Sequence, residues 1–185
     1  MVDRDQFREA MSRLGAAVNI ITSAGKGGRH GMTASAVCSV TDTPPTVLVC
    51  INHSSSMNGV VKDNRVLCVN VLGGGHDALS NRFANKTLSP EERFVDKQQW
   101  RQLETGSPVL KTAPVALDCN VVDQQEVGTH TVFYCAVQAV QFGAQRESLI
   151  YFNRAYHSLV DRKDVHVEKA PDLYAMINSD VSGWL

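Results

Sequence analysis

The fold is decided by one stretch, Gly31 to Asn58, which reads GMTASAVCSVTDTPPTVLVCINHSSSMN. A Pro-Pro pair separates its two strand-like runs. The second run ends directly in three serines, at a position where a helix is predicted to begin. Free backbone N–H groups and hydroxyls at a helix start favour an anion. The stretch therefore predicts a strand-rich fold that binds a phosphate-bearing cofactor.

Bulk properties fit one globular domain. The chain has 185 residues, of which 43% are hydrophobic and 20% charged, so disorder is excluded. A net charge of −1 gives no electrostatic reason to expect a nucleic acid or an anionic membrane as partner. No signal peptide or span-length apolar run is present, which predicts a cytoplasmic protein. Four of the five cysteines sit in apolar, strand-like runs, so we expect buried, reduced thiols.

The hydrophobic pattern predicts mainly β structure with flanking helices. Helices are expected over 3–14, from Ser54 to about 64, and around Leu79 and Phe83. The polar segment 85–107 is expected to be a loop or helical excursion. Strands are expected at 17–23, from 31, and at 46–52, 66–72, 113–123, 130–142 and 147–153. The run 46–52 is apolar on both faces, which predicts a central, covered strand. Six or seven strands with few helices favour an antiparallel barrel over a βαβ sheet.

Two segments of this pattern can form a binding site. Asn52, Ser54, Ser55 and Ser56 lie at a strand-to-helix junction and are predicted to bind a phosphate. The alternative is that one serine only caps the helix. Small residues at Thr33, Ala34, Ser35 and Ala36 would let a flat ring approach the backbone, with Ser39 and Cys50 flanking it. Here the alternative is an ordinary edge strand of small residues.

Several motifs together resemble a known family. They are Phe7–Met11 (FREAM), Ala16–Thr22 (AAVNIIT), Thr33–Val40 (TASAVCSV), Thr41–Pro45 (TDTPP), Cys68–Leu72 (CVNVL), Gly128–His130 (GTH) and Leu149–Phe152 (LIYF) with Arg154, Tyr156 and His157. The combination resembles the flavin reductase family over residues 6 to 158. The resemblance implies an FMN-binding split barrel of antiparallel Greek-key type at 1–160, a homodimer, and reduction of free FAD or FMN by NADH. The tail at 161–185 matches no family pattern and is expected to be flexible or to dock on a partner subunit.

The resemblance also assigns roles to single residues. His130 becomes the candidate catalytic residue, contacting the nicotinamide or its ribose and pyrophosphate, whereas a lone histidine is otherwise more often structural. Arg82 beside Phe83 is a candidate for the flavin phosphates. Arg154, Tyr156 and His157 are candidates for nucleotide contacts, although a strand end often carries such residues as a simple polar rim. The six histidines show no ligand spacing, so no metal site is predicted.

The predicted activity is that of an NAD(P)H:flavin oxidoreductase. The resemblance favours FAD and NADH as exchangeable substrates, and a separate oxygenase that hydroxylates phenolic or chlorinated aromatic compounds as the recipient of reduced flavin. Two alternatives stay open. The first is the flavin reductase of a pyrimidine-degradation pathway, which shares almost the same motifs, and the second is a non-enzymatic flavin-binding module.

Overall fold

The computed structural model describes residues 1–160, so the tail predicted at 161–185 lies outside the described residues. Helices are few: α1 (Arg4–Ser12), α2 (Ser56–Asn64), α3 (Asp77–Ala84) and α4 (Pro90–Arg93), with a 3₁₀ turn at Lys97–Gln99. The strands are β1 (Ala16–Ala17), β2 (Asn19–Gly25), β3 (Gly28–Ala34), β4 (Val37–Asp42), β5 (Pro45–Asn52), β6 (Val66–Val71), β7 (Trp100–Gln102), β8 (Pro108–Leu110), β9 (Val115–Val127), β10 (His130–Phe142), β11 (Ser148–Phe152) and β12 (Ala155–Leu159).

Seven strands form one antiparallel sheet in the order β3-β2-β6-β9-β10-β5-β4. Its two edge strands, β3 and β4, are consecutive in the chain and are joined by only Ser35 and Ala36. Because so short a link spans about 10 Å at most, the sheet must curl until its edges meet at that point. The predicted antiparallel split barrel of six or seven strands is thereby confirmed, with seven strands in the sheet.

Smaller sheets complete the fold and were only partly predicted. Strands β1, β11 and β12 form a three-stranded sheet, and β7 pairs with β8. The run predicted as one strand from Gly31 to Val40 is two strands, because the chain crosses from one sheet edge to the other at Ser35. The segment 85–107 holds α4, the 3₁₀ turn and β7, and Phe94 and Trp100 pack there with Phe83.

Side chains on the two faces of the curled sheet fill two separate cores, because alternate residues of a strand point to opposite faces. One core lies between the barrel strands and α2 and includes Met57, Val61 and Phe133. The other lies between the sheet and α3, α4 and β8 and includes Phe83 and Phe94. The rings of this pair meet edge to face, with centroids 5.1 Å apart.

Strand β5 differs from its prediction as a strand covered on both faces. It does pair on both sides, with β4 and β10. Only Val47, Val49 and Ile51 are buried, however, and the alternate side chains from Thr46 to Asn52 are half-buried. None of these alternate side chains belongs to either core.

All five cysteines are free. Cys68, Cys119 and Cys135 are buried as predicted, whereas Cys50 is half-buried and Cys38 is exposed on the edge strand β4. Within the described part of the chain, every helix is too short or too polar to cross a bilayer.

Candidate flavin site

A cavity of about 400 Å³ lies between β3, the start of α2 and the segment from α3 to α4. We call it the serine cavity. Six predicted site residues line it: Thr33, Asn52, Ser54, Ser55, Ser56 and Phe83. Four further lining residues were not predicted: Met32, Ala84, Lys86 and Arg93. The fold thus brings the serine segment and Thr33 of the predicted ring-binding segment to one cavity.

The three serines do not cap helix α2. Ser55 occupies the N-cap position without a capping hydrogen bond from its side chain. The Ser54 hydroxyl donates to Asn52 Oδ1 at 2.8 Å, and the Ser56 hydroxyl lies 2.7 Å from His30 Nε2. Within residues 1–160 the N–H groups of Ser56 and Met57 have no hydrogen-bond partner. The helix start therefore presents free donors at the cavity, as an anion site requires.

Arg93 supplies positive charge at the wall of the cavity. It is 6% exposed, and its guanidinium donates to Gly31 O at 2.6 Å and to Asn85 O at 2.8 Å. Its Nε is buried without a partner, and no carboxylate lies within 4.0 Å of it among residues 1–160. Burial lowers the pKa of Arg93, but a guanidinium remains charged at neutral pH. An unpaired buried cation is costly, so the arrangement favours an anionic ligand.

His30 links this arginine to the serines. Its Nδ1 donates to Gly31 O at 3.1 Å, which leaves Nε2 to accept the Ser56 hydroxyl proton. Burial, with a further contribution from the neighbouring Arg93 charge, lowers the pKa of His30. The imidazole is therefore neutral at pH 7 and fixes the orientation of Ser56.

The predicted ring-binding segment adjoins the serine cavity. A second cavity of about 240 Å³ is lined by Val18, Thr33, Ala34, Ser35, Tyr151 and Tyr156, and Thr33 is shared with the first. Thr33 donates to Ser80 O at 2.6 Å and is thereby fixed. The N–H groups of Ser35 and Ala36 make no hydrogen bond within residues 1–160. Both residues are exposed, so these donors can meet the edge of a flat ligand.

His130 lies at the rim. It begins β10, is half-buried, and pairs in register with Asn52 of β5. Its Nδ1 lies 2.9 Å from the Thr129 hydroxyl. It does not line the serine cavity, but the register places it beside a residue that does.

Other predicted residues lie elsewhere. Arg154 pairs with Glu9 at 2.7 Å and lines, with Ser35, Ala36 and Tyr151, a separate groove of about 1000 Å³ beneath α1. His157 contacts Phe152 O at 3.2 Å. Arg82 is half-buried on α3 and lines none of these cavities, because the helix turns it away from the direction of Phe83.

Ser39 and Cys50 also lie apart from the cavities. Ser39 is exposed on β4, and Cys50 lies on the outer face of β5, where burial raises the pKa of its thiol. Tyr156 lines the second cavity and shares a 2.9 Å hydrogen bond with the Ser80 hydroxyl. Among residues 1–160, no cluster of histidine, cysteine and carboxylate side chains could hold a metal ion.

Comparison with known proteins decides the family. The model of the flavin reductase like domain matches residues 11–160. The chain belongs to this family. The FMN reductase (NADH) RutF of Ancylobacter novellus is 56% identical over 158 residues, which is 85% of this chain and 86% of that protein.

Two solved structures of flavin reductases share the fold. The ycdh protein of Haemophilus somnus 129PT, described as a flavin reductase, has a TM-score of 0.81 and 45% identity, and the match covers 85% of this chain and all of the other. The NADH:FAD oxidoreductase SgcE6 of Streptomyces globisporus C-1027, solved with NAD and FAD fragments, has a TM-score of 0.79 and 26% identity. That match covers 88% of this chain and 96% of the other.

The residues around the serine cavity fit a flavin nucleotide of the kind this family reduces. The charge of Arg93 at the cavity wall and the free N–H groups at the start of α2 favour a phosphate. Sequence reasoning missed Arg93, His30 and Lys86; Arg93 and His30 are placed by Gly31 O and Ser56, which are distant from them in the chain. The only local signal was a charged Pro-Glu-Glu-Arg segment, which is common on protein surfaces.

Proposed function

We propose that this flavin reductase is an NADH-dependent FMN reductase that supplies reduced FMN to an oxygenase of pyrimidine degradation. The resemblance in the sequence put FAD and an aromatic monooxygenase first. The 56% identity to an FMN reductase (NADH) RutF favours the pyrimidine-degradation alternative, whereas the NADH:FAD oxidoreductase is only 26% identical.

One observation carries the proposal: a buried arginine with no carboxylate partner among residues 1–160 lines the same cavity as three serines at an uncapped helix start. A terminal phosphate in this cavity would neutralise the arginine and accept hydrogen bonds from the free N–H groups of the helix start. Exposed Lys86 adds a second cation at the cavity mouth. We assign the FMN phosphate to this cavity.

The ring system then extends along β3 towards the second cavity. The free N–H groups of Ser35 and Ala36 would stabilise negative charge on the ring, as preorganised dipoles do. When bound, flavin accepts a hydride from NADH and carries the electrons away. The chain binds and orients both nucleotides, and His130 would contact the nicotinamide nucleotide without acting as an acid or base.

We further propose that a second copy of the chain completes the site. Tyr151 and Ser35 border the groove beneath α1 as well as the second cavity, and Ala36 borders the groove. Phe7 and Met11 on α1 are 58% and 46% exposed although the helix is amphipathic, so this face lacks an apolar partner within residues 1–160. Sedimentation should give a dimer for the wild type and a monomer for Phe7→Asp. A monomeric wild type would contradict the dimer.

The activity is tested by NADH oxidation with and without added flavin. We expect turnover only with added flavin, with a lower KM for FMN than for FAD, because flavin is a substrate rather than a resident group. Flavin that remains bound and supports no turnover would point to a storage module instead. Deletion of the gene should abolish growth on uracil as nitrogen source and leave growth on phenol unchanged. The reverse result would favour an oxygenase of aromatic compounds as the recipient of reduced flavin.

A further inference from the structure

The turn that precedes His130 is short. Residues Gly128 and Thr129 alone connect β9 to β10, and Val127 pairs with His130 across the turn. Gly128 has φ +56°, which is the left-handed conformation that a two-residue hairpin with glycine in first position uses. The position of His130 therefore depends on how the tip of this hairpin is held.

Glu126 holds the tip from one side. Its carboxylate accepts hydrogen bonds from Lys62 Nζ at 2.9 Å, His53 Nε2 at 2.5 Å and Thr131 Oγ1 at 3.0 Å. These donors come from α2, from the loop between β5 and α2, and from β10. The bond from Lys62, with smaller contributions from the other two donors, lowers the pKa of Glu126, so the acceptor is ionised at neutral pH. One carboxylate thus joins three elements around the hairpin.

The same network reaches the interior. Thr131 is fully buried and accepts a hydrogen bond from Asn58 Nδ2 at 2.9 Å. Asn58, also buried, donates to Ile51 O at 3.0 Å. In addition, the His53 N–H donates to Thr129 O at 2.9 Å. The hairpin tip is therefore tied to the end of β5, where Asn52 enters the serine cavity.

The hairpin tip depends on this network more than the serine loop does. The serine loop has its own anchors, since Ser54 bonds to Asn52 and Ser56 to His30. Beyond its strand pairing, the hairpin tip has the His53 N–H and the Glu126 carboxylate. Loss of Glu126 should therefore displace the tip and leave the serine cavity in place.

We propose that Glu126 is a positioning residue for the nicotinamide step, which fixes the β9–β10 turn so that His130 stands beside Asn52. This role rests on the proposed function, because it concerns how NADH is bound for hydride transfer. The side chains of Glu126, His53 and Lys62 are 52%, 40% and 34% exposed. Exposed ion pairs add little stability, so the network orients the turn more than it stabilises the fold.

The experiment compares Glu126→Ala with Asp123→Ala, a matched control on the same strand. Asp123 is exposed, and its carboxylate accepts a hydrogen bond only from the neighbouring Gln124 N–H within residues 1–160. We expect Glu126→Ala to raise the KM for NADH about fivefold, since a small misplacement of a contacting group is sufficient for such a loss. The kcat and the Kd for FMN should stay within about twofold of the wild type. Asp123→Ala should match the wild type.

A double-mutant cycle with His130→Ala identifies the route of the effect. If Glu126 acts through His130, adding Glu126→Ala to His130→Ala should raise the KM for NADH no further. Additive losses, an unchanged KM in Glu126→Ala, or an equal loss of FMN affinity would each overturn the proposal. Lys62→Met removes one of the three donors and should give a smaller rise, of about twofold. A wild type without NADH-dependent flavin reduction would overturn the proposed function itself.

Discussion

The serine cavity and the rim that carries His130 are built in different ways. Arg93 lines the cavity and His30 is bonded to the lining residue Ser56; both are buried and held by hydrogen bonds. The rim is a two-residue hairpin tip with a half-buried histidine, bordered by polar, partly exposed groups. A single chain therefore fixes the groups that we propose bind the phosphate before the ligand arrives. The part that would meet the nicotinamide is left more open.

This difference suits an exchangeable substrate. A rigid anion site can select a nucleotide by its phosphate, since the donors are fixed before the ligand arrives. An open rim lets the second nucleotide approach the ring and lets the reduced product leave. Variants on the two sides should accordingly separate flavin affinity from NADH affinity.

The largest effect is expected from Arg93→Met. Loss of the buried charge should weaken FMN binding about 30-fold to 100-fold, in line with the value of hydrogen bonds to charged groups. The variant should also lower Tm, because Gly31 O and Asn85 O lose their donor. Fluorescence titration with FMN measures the affinity.

Arg82→Met is the matched control. Arg82 lies on the neighbouring helix and lines no part of the cavity, so its removal should change FMN affinity less than about twofold. Equal losses for the two arginines would mean that the sequence prediction for Arg82 was right and that the cavity assignment is incomplete.

His130→Ala should weaken the binding of NADH rather than that of FMN. We expect the KM for NADH to rise about tenfold while the Kd for FMN stays within about twofold, because His130 borders but does not line the serine cavity. Steady-state kinetics and flavin titration supply the two values. His157→Ala is the control, and a loss there as large as at His130 would place the nicotinamide at β12 instead.

Ser56→Ala tests whether a serine hydroxyl contributes to the binding of the FMN phosphate. The hydroxyl donates its one proton to His30 in the free protein, so it would have to give up that bond to donate to a phosphate. We expect FMN affinity to fall about fivefold, the value of a single hydrogen bond. A variant with wild-type affinity would mean that the phosphate is held by backbone N–H groups and Arg93 alone.

The smallest effect is a pH dependence of stability. The folded chain holds the pKa of His30 below its usual value near 6.5, because the ring is buried next to Arg93. Below that value the unfolded chain binds a proton that the folded chain does not, so stability should fall as pH drops from 7 towards 5.5. His30→Gln should reduce the fall in Tm over this range by about 2 °C or less, and half-buried His76, whose pKa burial also lowers, should contribute to the rest.

The sequence predicted those features that depend on neighbours in the chain. Ser54 to Ser56 follow a strand and start a helix, so their place beside a cavity could be inferred from local pattern alone. The split barrel followed from strand count and the family motifs.

The rest depends on distant contacts. Arg93 is placed by Gly31 O, and Arg154 is drawn to Glu9 from the other end of the described chain. No local pattern distinguishes these two arginines or shows which of them faces a ligand. The break of one predicted strand at Ser35 depends likewise on the curl of the whole sheet, since β3 and β4 pair with different partners.

The most direct test of the account compares the Kd of FMN with that of riboflavin, which differs only in lacking the phosphate. The serine cavity predicts that the wild type binds FMN about 100-fold more tightly, and that Arg93→Met loses most of that preference. Equal affinities of the wild type for FMN and riboflavin would contradict the assignment of the phosphate to this cavity.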